Sequence, residues 1–145
     1  MIEYLQLPTI SQAVADEAIH AIYKFLRDHP KNESWRFDLP LACQPIVQEA
    51  IRVYKEKKSL HNTPILFSHG AMLTKIFNAG AQYDTLIIPL LSINNPRVCL
   101  RQDGKQIIID WKWGKVLFVS KPMEFCMEEG KQAGGIVVQF ERGKV

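Results

Sequence analysis

Cysteine is scarce: Cys43, Cys99 and Cys126 are the only three in 145 residues, at wide and irregular spacing. No CxxC pair and no Cys/His cluster with zinc-ligand spacing occurs, so neither a disulfide framework nor a structural metal site is predicted. Free thiols in a reducing cytosol account for them most simply. Long apolar runs are missing as well. The longest, 86–91, is far too short to cross a bilayer. The opening MIEYLQLPTIS has no basic stretch followed by an apolar core, so it does not read as a signal peptide. No charge of one sign dominates: the net charge of +3 is compatible with an acidic or nucleic-acid partner without demanding one. The signatures GxSxG, GxxxxGK[ST] and GxGxxG are absent, and His20, His29, His61 and His69 form no HExxH, HxxxH or HxH spacing. These absences predict a cytoplasmic single domain spanning 1–145, with no membrane segment and no bound metal.

What is present is an ordinary globular composition, 47% hydrophobic and 23% charged. A chain of this length buries a sizeable core without staples. The clearest local signal is the stretch 97–121, RVCLRQDGKQIIIDWKWGKVLFVSK. Asp103-Gly104 sits between two runs rich in β-branched and aromatic residues, and that dipeptide suits the positive φ angles of a two-residue hairpin turn. The register follows: Gln102 faces Lys105, Leu100 faces Ile107 and Val98 faces Ile109. One face then carries Val98, Leu100, Ile107, Ile109 and Trp111 as core. The other carries Arg97, Cys99, Arg101, Gln106, Ile108, Asp110 and Lys112, with Arg97 opposite Asp110. A third run, 116–120, extends the hairpin into a meander.

Upstream, Thr9 and Gln12 fit a capping box, and Ile10, Val14, Ala18, Ile22, Phe25 and Leu26 recur at helical spacing up to the stop before Pro30. Trp35 and Phe37 lie in a polar connection and are expected to dock on the core. A second helix starts at Pro45, with Ile46, Val47, Ala50, Ile51 and Tyr54 as its apolar stripe and Lys55, Lys57 and Lys58 at its end. A short strand is expected at 63–67. Ser68 is placed to cap a short third helix, with Met72, Leu73, Ile76 and Phe77 inward and Gly80 as its stop. The run 85–92 reads as a strand that Pro89 puts at an edge, bulges or breaks. A short helix or turn at 122–131 and a final strand at 136–140 complete the chain. The fold class predicted is α+β: two N-terminal helices, then a mostly antiparallel sheet with the meander 97–121 and one or two short helices.

Among the histidines, His69 beside Gly70 at the expected helix start is the best functional candidate, because a helix N-terminus attracts anions. The one chemically suggestive constellation is DGKQIIIDWKWGK, 103–115. This segment resembles the hairpin of RecB-like nucleases of the PD-(D/E)xK superfamily, in which an apolar strand ends in Asp-x-Lys. The resemblance implies Asp110 as a magnesium ligand and Lys112 as the residue that positions the attacking water. The strand before it carries no acid, so Asp84 stands nearest as the second carboxylate.

The surface around the hairpin supports a second reading. Arg97, Arg101, Lys105, Lys112 and Lys115 lie on or beside one face, with Trp113 among them, and cations interleaved with aromatics suit a nucleic-acid backbone with stacked bases. The function expected is therefore binding of nucleic acid, or of an acidic protein surface, without a cofactor. A non-catalytic inhibitor or adaptor is the alternative, and a nuclease using Asp84, Asp110 and Lys112 with magnesium is the second. Oligomeric state is not readable.

Overall fold

The computed structural model describes residues 3–28, 35–58, 65–80 and 82–141. Strand β1 (Glu3–Leu5) precedes helix α1 (Gln12–Asp28), strand β2 (Trp35–Phe37), a 3-10 turn at Leu41–Cys43 and helix α2 (Gln44–Lys58). Then come β3 (Ile65–Leu73), β4 (Ile76–Ala79), β5 (Tyr83–Ile93), β6 (Val98–Gln102), β7 (Lys105–Ile109), β8 (Val116–Val119), β9 (Met123–Cys126) and β10 (Gln132–Glu141). A larger antiparallel sheet has the order β1-β8-β5-β10-β3-β2, and a smaller one the order β4-β9-β6-β7. From β3 onward the chain alternates between the sheets, except at the β6–β7 hairpin. This is a jelly-roll sandwich with two helices on one side.

The α+β expectation is thereby corrected to a mostly antiparallel β fold. The hairpin register is the expected one, Val98↔Ile109, Leu100↔Ile107 and Gln102↔Lys105, with Asp103 and Gly104 at φ 51° and 76°. The meander 97–121, however, is split. Strand β8 is buried on both faces, so it needs cover on both sides, which the edge of a hairpin does not give. Segment 110–115 carries it across to the larger sheet, between β1 and β5. The third helix expected from Ser68 is instead β3 and β4. Ala71, Met72 and Leu73 are all buried there, and a strand covered on both faces imitates a helical apolar cluster. The segment 122–131 contains β9, and a strand, β1, precedes the first helix.

Both long helices form where expected. Ser11 caps α1 by accepting the Val14 N–H at 3.2 Å, while Thr9 donates its N–H and hydroxyl to Glu49 on α2. Ala18 and Ile22 of α1 and Ile46, Val47, Ala50 and Tyr54 of α2 pack on Leu86, Ile88, Phe118, Ile136, Val138 and Phe140 of the larger sheet. The Tyr54 ring stacks on Phe140 at 3.9 Å, and its hydroxyl donates to buried Asp84 at 2.7 Å. On the sheet's other face, Ile87, Leu117, Val119 and Ala133 meet Val98, Leu100, Ile109, Met123 and Phe125 of the smaller sheet.

Pro89 sits in a central strand, at a bulge where β10 steps from Gly134 to Gly135 against Leu91 and Pro89. A Cβ on Gly135 would lie 2.1 Å from the Ile88 carbonyl oxygen, whereas one on Gly104 would meet nothing within 4 Å. Gly135→Ala is therefore expected to destabilise the protein by at least about 2 kcal/mol, because backbone must move. Gly104→Ala loses only about 1 kcal/mol to its positive φ. Urea unfolding of the two variants checks the order.

Glu49 supplies a second test. The hydrogen bond from Arg52, joined by those from Thr9, outweighs burial and holds its carboxyl at about 2. A carboxylate depressed in the fold stabilises above its unfolded value, near 4.5, and loses that contribution as pH falls towards 2. Parent protein is expected to lose about 2 kcal/mol over that window from this group, allowing for the half-exposed Arg52. Denaturation of Glu49→Gln at pH 6 and pH 3 should show a correspondingly smaller difference.

Candidate functional site

The smaller sheet covers only part of the larger sheet's inner face. Ala71, Leu73, Ile87 and Val137 are buried beneath it. Strand alternation puts Phe67 and His69 on the same face as Ala71 and Leu73, yet Phe67 is 42% exposed and His69 half-buried. Register extends this open end sideways: Gln139 of β10 is level with Phe67 and with Thr85, and Tyr83 follows two residues before Thr85 on β5. The Phe67 ring lies 6.3 Å from the His69 ring and meets Tyr83 edge-on at 6.0 Å.

Strand β2 adds a cation. Phe37 turns to the helices and stacks on Phe25 at 5.2 Å, so Arg36, paired with Ala71, points to the inner side. Arg36 is exposed and takes part in none of the ion pairs among the described residues. It lies near enough to His69 for its charge to act there. Burial first, and then Arg36, hold the imidazole below its ordinary value. The open end thus combines a guanidinium, a largely neutral imidazole and two aromatic rings, an arrangement suited to a carboxylate on an organic ligand.

The candidates drawn from the sequence lie elsewhere, and Asp84 is not brought to Asp110 and Lys112. Asp84 faces α2, on the helix side of the larger sheet, where Tyr54 binds it. Asp110 and Lys112 follow the end of β7 in the smaller sheet. Lys115 binds Asp110 at 3.3 Å, so Arg97 is not its partner; Arg97 instead approaches Glu128 and helps lower its pKa. Arg101 pairs with Glu124 at 3.3 Å. Lys105 and Lys112 stand exposed, but the aromatic rings of this stretch turn towards the protein. Trp113 lies against the helix-side core, and Phe118 is buried in it. Trp111 gives its indole N–H to the Leu91 and Gly134 carbonyls at 3.0 and 3.1 Å.

Arg36 was within reach of sequence reasoning. In Trp35-Arg36-Phe37 the alternation that docks Phe37 on the core sends Arg36 to the opposite face. His69 was singled out for a helix terminus that does not exist, and its place on a strand gives it a different role.

No protein-family model matches the chain, and comparison with curated proteins finds no significant relative. Solved structures do resemble it. A Pseudomonas putida prolyl-4-hydroxylase superposes with TM-score 0.63 at 8% identity, over 98% of this chain and 92% of that one. A Trichoplax adhaerens prolyl hydroxylase in complex with a hypoxia-inducible-factor peptide fragment gives 0.60 at 12%, over 97% and 83%. The viral collagen prolyl hydroxylase of Paramecium Bursaria Chlorella virus-1, as its 2OG (2-oxoglutarate) complex, gives 0.63 at 14%, over 99% and 96%. The chain has the fold of the prolyl hydroxylases.

That likeness, with Trp113 packed against the helix-side core and Arg101 and Lys115 engaged, overturns the nucleic-acid or partner-binding sheet face as the function. The separation of Asp84 from Asp110 removes the nuclease alternative. The expectation of no cofactor, with magnesium only for that nuclease, is corrected too: the groups this fold raises are 2-oxoglutarate and iron. Non-haem Fe(II) of this kind takes two imidazoles and a carboxylate facing one point. The open end supplies one imidazole, His69, and at its margin one carboxylate, Glu141, level with Tyr83. Gly80, Gln82, Ser120, Lys121 and Pro122, in the segments entering β5 and leaving β8, carry neither group. No three His, Cys, Asp or Glu side chains among the described residues are grouped to hold a metal, while His29 and His61 lie outside those residues. The described donor set does not fit iron; Arg36 does fit a carboxylate.

Because Arg36 is the second cause of the low His69 pKa, Arg36→Ala is expected to raise it part of the way back. NMR titration of the imidazole reads this directly, and an unchanged midpoint would place Arg36 too far away to act.

Proposed function

We propose that the chain binds a small dicarboxylate of the 2-oxoacid class at the open end of its sandwich, as a binding protein on a hydroxylase fold. Arg36 is the counter-ion, and His69 and Tyr83 offer hydrogen bonds. Arg36 carries the reading: a guanidinium in none of the ion pairs among the described residues, on the face that also presents a half-buried imidazole and aromatic walls. A bidentate guanidinium–carboxylate contact is among the stronger polar interactions available. The viral hydroxylase of the same fold is a 2-oxoglutarate complex, so the architecture has room for this ligand class. The reading is binding rather than oxidation because the described residues of the open end supply one imidazole, whereas iron of that kind needs two. All three cysteines are free thiols, which supports a cytoplasmic setting. No described helix is long and apolar enough to cross a membrane.

Protonation of His69 places a second positive charge beside Arg36. Carboxylate binding is therefore expected to strengthen as pH falls through the range where free imidazole titrates, with uptake of a proton. Without ligand the sign is opposite. A histidine depressed in the fold contributes stability that is full above its unfolded value and is lost as pH falls through the folded one.

Thermal shift and calorimetry with 2-oxoglutarate test the reading. Ligand at about 100 times its Kd adds roughly 2.7 kcal/mol of stability. A Tm rise of several degrees is expected, equal with and without added Fe(II) or Mn(II), and abolished in Arg36→Ala. No shift with 2-oxoglutarate would refute the ligand class. Release of succinate in the presence of Fe(II) and ascorbate would show that the protein oxidises rather than merely binds.

A further inference from the structure

The outer face of the smaller sheet holds two thiols side by side. Cys99 of β6 and Cys126 of β9 are directly paired across antiparallel strands, so both side chains leave the same face. Both are free and half-buried, and the Cys126 Sγ lies 3.7 Å from the Cys99 carbonyl oxygen. Directly paired antiparallel residues have Cα atoms about 4.5 or 5.5 Å apart. Both spacings fall inside the roughly 4.4–6.8 Å that a disulfide spans. Their Cβ atoms, about 4.5–5.5 Å apart in such pairs, need to close by an ångström or so to reach bonding geometry.

The surroundings favour an intramolecular outcome. The cysteine row runs across all four strands, with Ile76 beside Cys126 and Ile108 beside Cys99. Those isoleucines are 57% and 60% exposed and flank the thiols on both sides, so that within the row each thiol has the other as its reactive neighbour. The next row is the Arg101–Glu124 ion pair. Burial pushes the Cys126 thiol up, with Arg101 pulling the other way. Cys43 is a different case: fully buried under the helices and held up at about 11.

We infer that Cys99 and Cys126 form a reversible intramolecular disulfide that locks the two central strands of the smaller sheet. The oxidant class is a low-molecular-weight disulfide such as oxidised glutathione. One cysteine thiolate attacks it and releases one glutathione thiolate. The neighbouring cysteine, deprotonated, then displaces the second. Two protein thiols lose two protons and two electrons, and one glutathione disulfide is reduced to two thiols. The bond closes a loop from β6 to β9 that includes β7 and β8, and such a restraint raises stability by limiting the unfolded chain.

The test is equilibration of the folded protein with graded ratios of oxidised and reduced glutathione, followed by acid quench. Thiol titration under denaturing conditions should fall from three to one as the mass drops by two hydrogens, with the protein still monomeric by non-reducing gel. Tm should rise by on the order of 5 °C and return with dithiothreitol. Cys43→Ser should behave like the parent, starting from two thiols and ending with none. Cys99→Ser and Cys126→Ser should each keep their remaining thiols free or gain a glutathione adduct. Three persistent thiols in the parent, a stable glutathione adduct there, or disulfide-linked dimers would each overturn the inference.

Discussion

Gly134 and Gly135 sit where strand β10 is squeezed between β5 and β3. A Cβ on Gly134 would lie 2.5 Å from the Met72 sulfur, and one on Gly135 would strike the Ile88 carbonyl. With hydrogen alone at both positions, β10 steps past Pro89 through a bulge and keeps pairing on both sides. The Gly134 carbonyl then shares with that of Leu91 the indole N–H of Trp111, a residue that follows the last strand of the smaller sheet. One crowded point therefore helps set the register of the central strands and tie the two sheets together. The extent of the open end follows from where the smaller sheet is held against the larger one.

Local signals were legible wherever one interaction range decided the outcome. The 103–104 turn fixed its hairpin because backbone conformation at two residues sets the pairing of the next ten. The two helices were legible because amphipathic stripes and caps lie within the helices themselves. What escaped was partnership at long range. Val116–Val119 continues naturally from the hairpin, and nothing within it announces that β1 and β5 are its neighbours. Met72 and Leu73 looked helical because a strand buried on both faces loses the alternation that marks strands. Pro89 reads as an edge, a bulge or a break, and the structure takes the bulge, which lets it into the middle.

The candidate site shows the same division. Asp110 and Lys112 have the right spacing for one kind of chemistry, but a spacing says nothing of which carboxylate arrives from elsewhere. Arg36, His69, Phe67 and Tyr83 come from three strands, and only the sheet order brings them together. The likeness to hydroxylases settles architecture and leaves chemistry to the side chains. At the open end the described side chains present a guanidinium and a single imidazole.

The position of β10 has a consequence for how the molecule comes into being. It is the last strand in sequence and lies in the middle of the larger sheet, between β5 and β3. During synthesis β3 and β5 both emerge before the strand that joins them. Until then β3 and β5 each present an open, largely apolar edge, the kind of surface that invites wrong pairing or a chaperone. Contacts this distant in sequence also slow the search for the native state. The interval between the exit of β5 and the docking of β10 is thus the window of greatest exposure to aggregation.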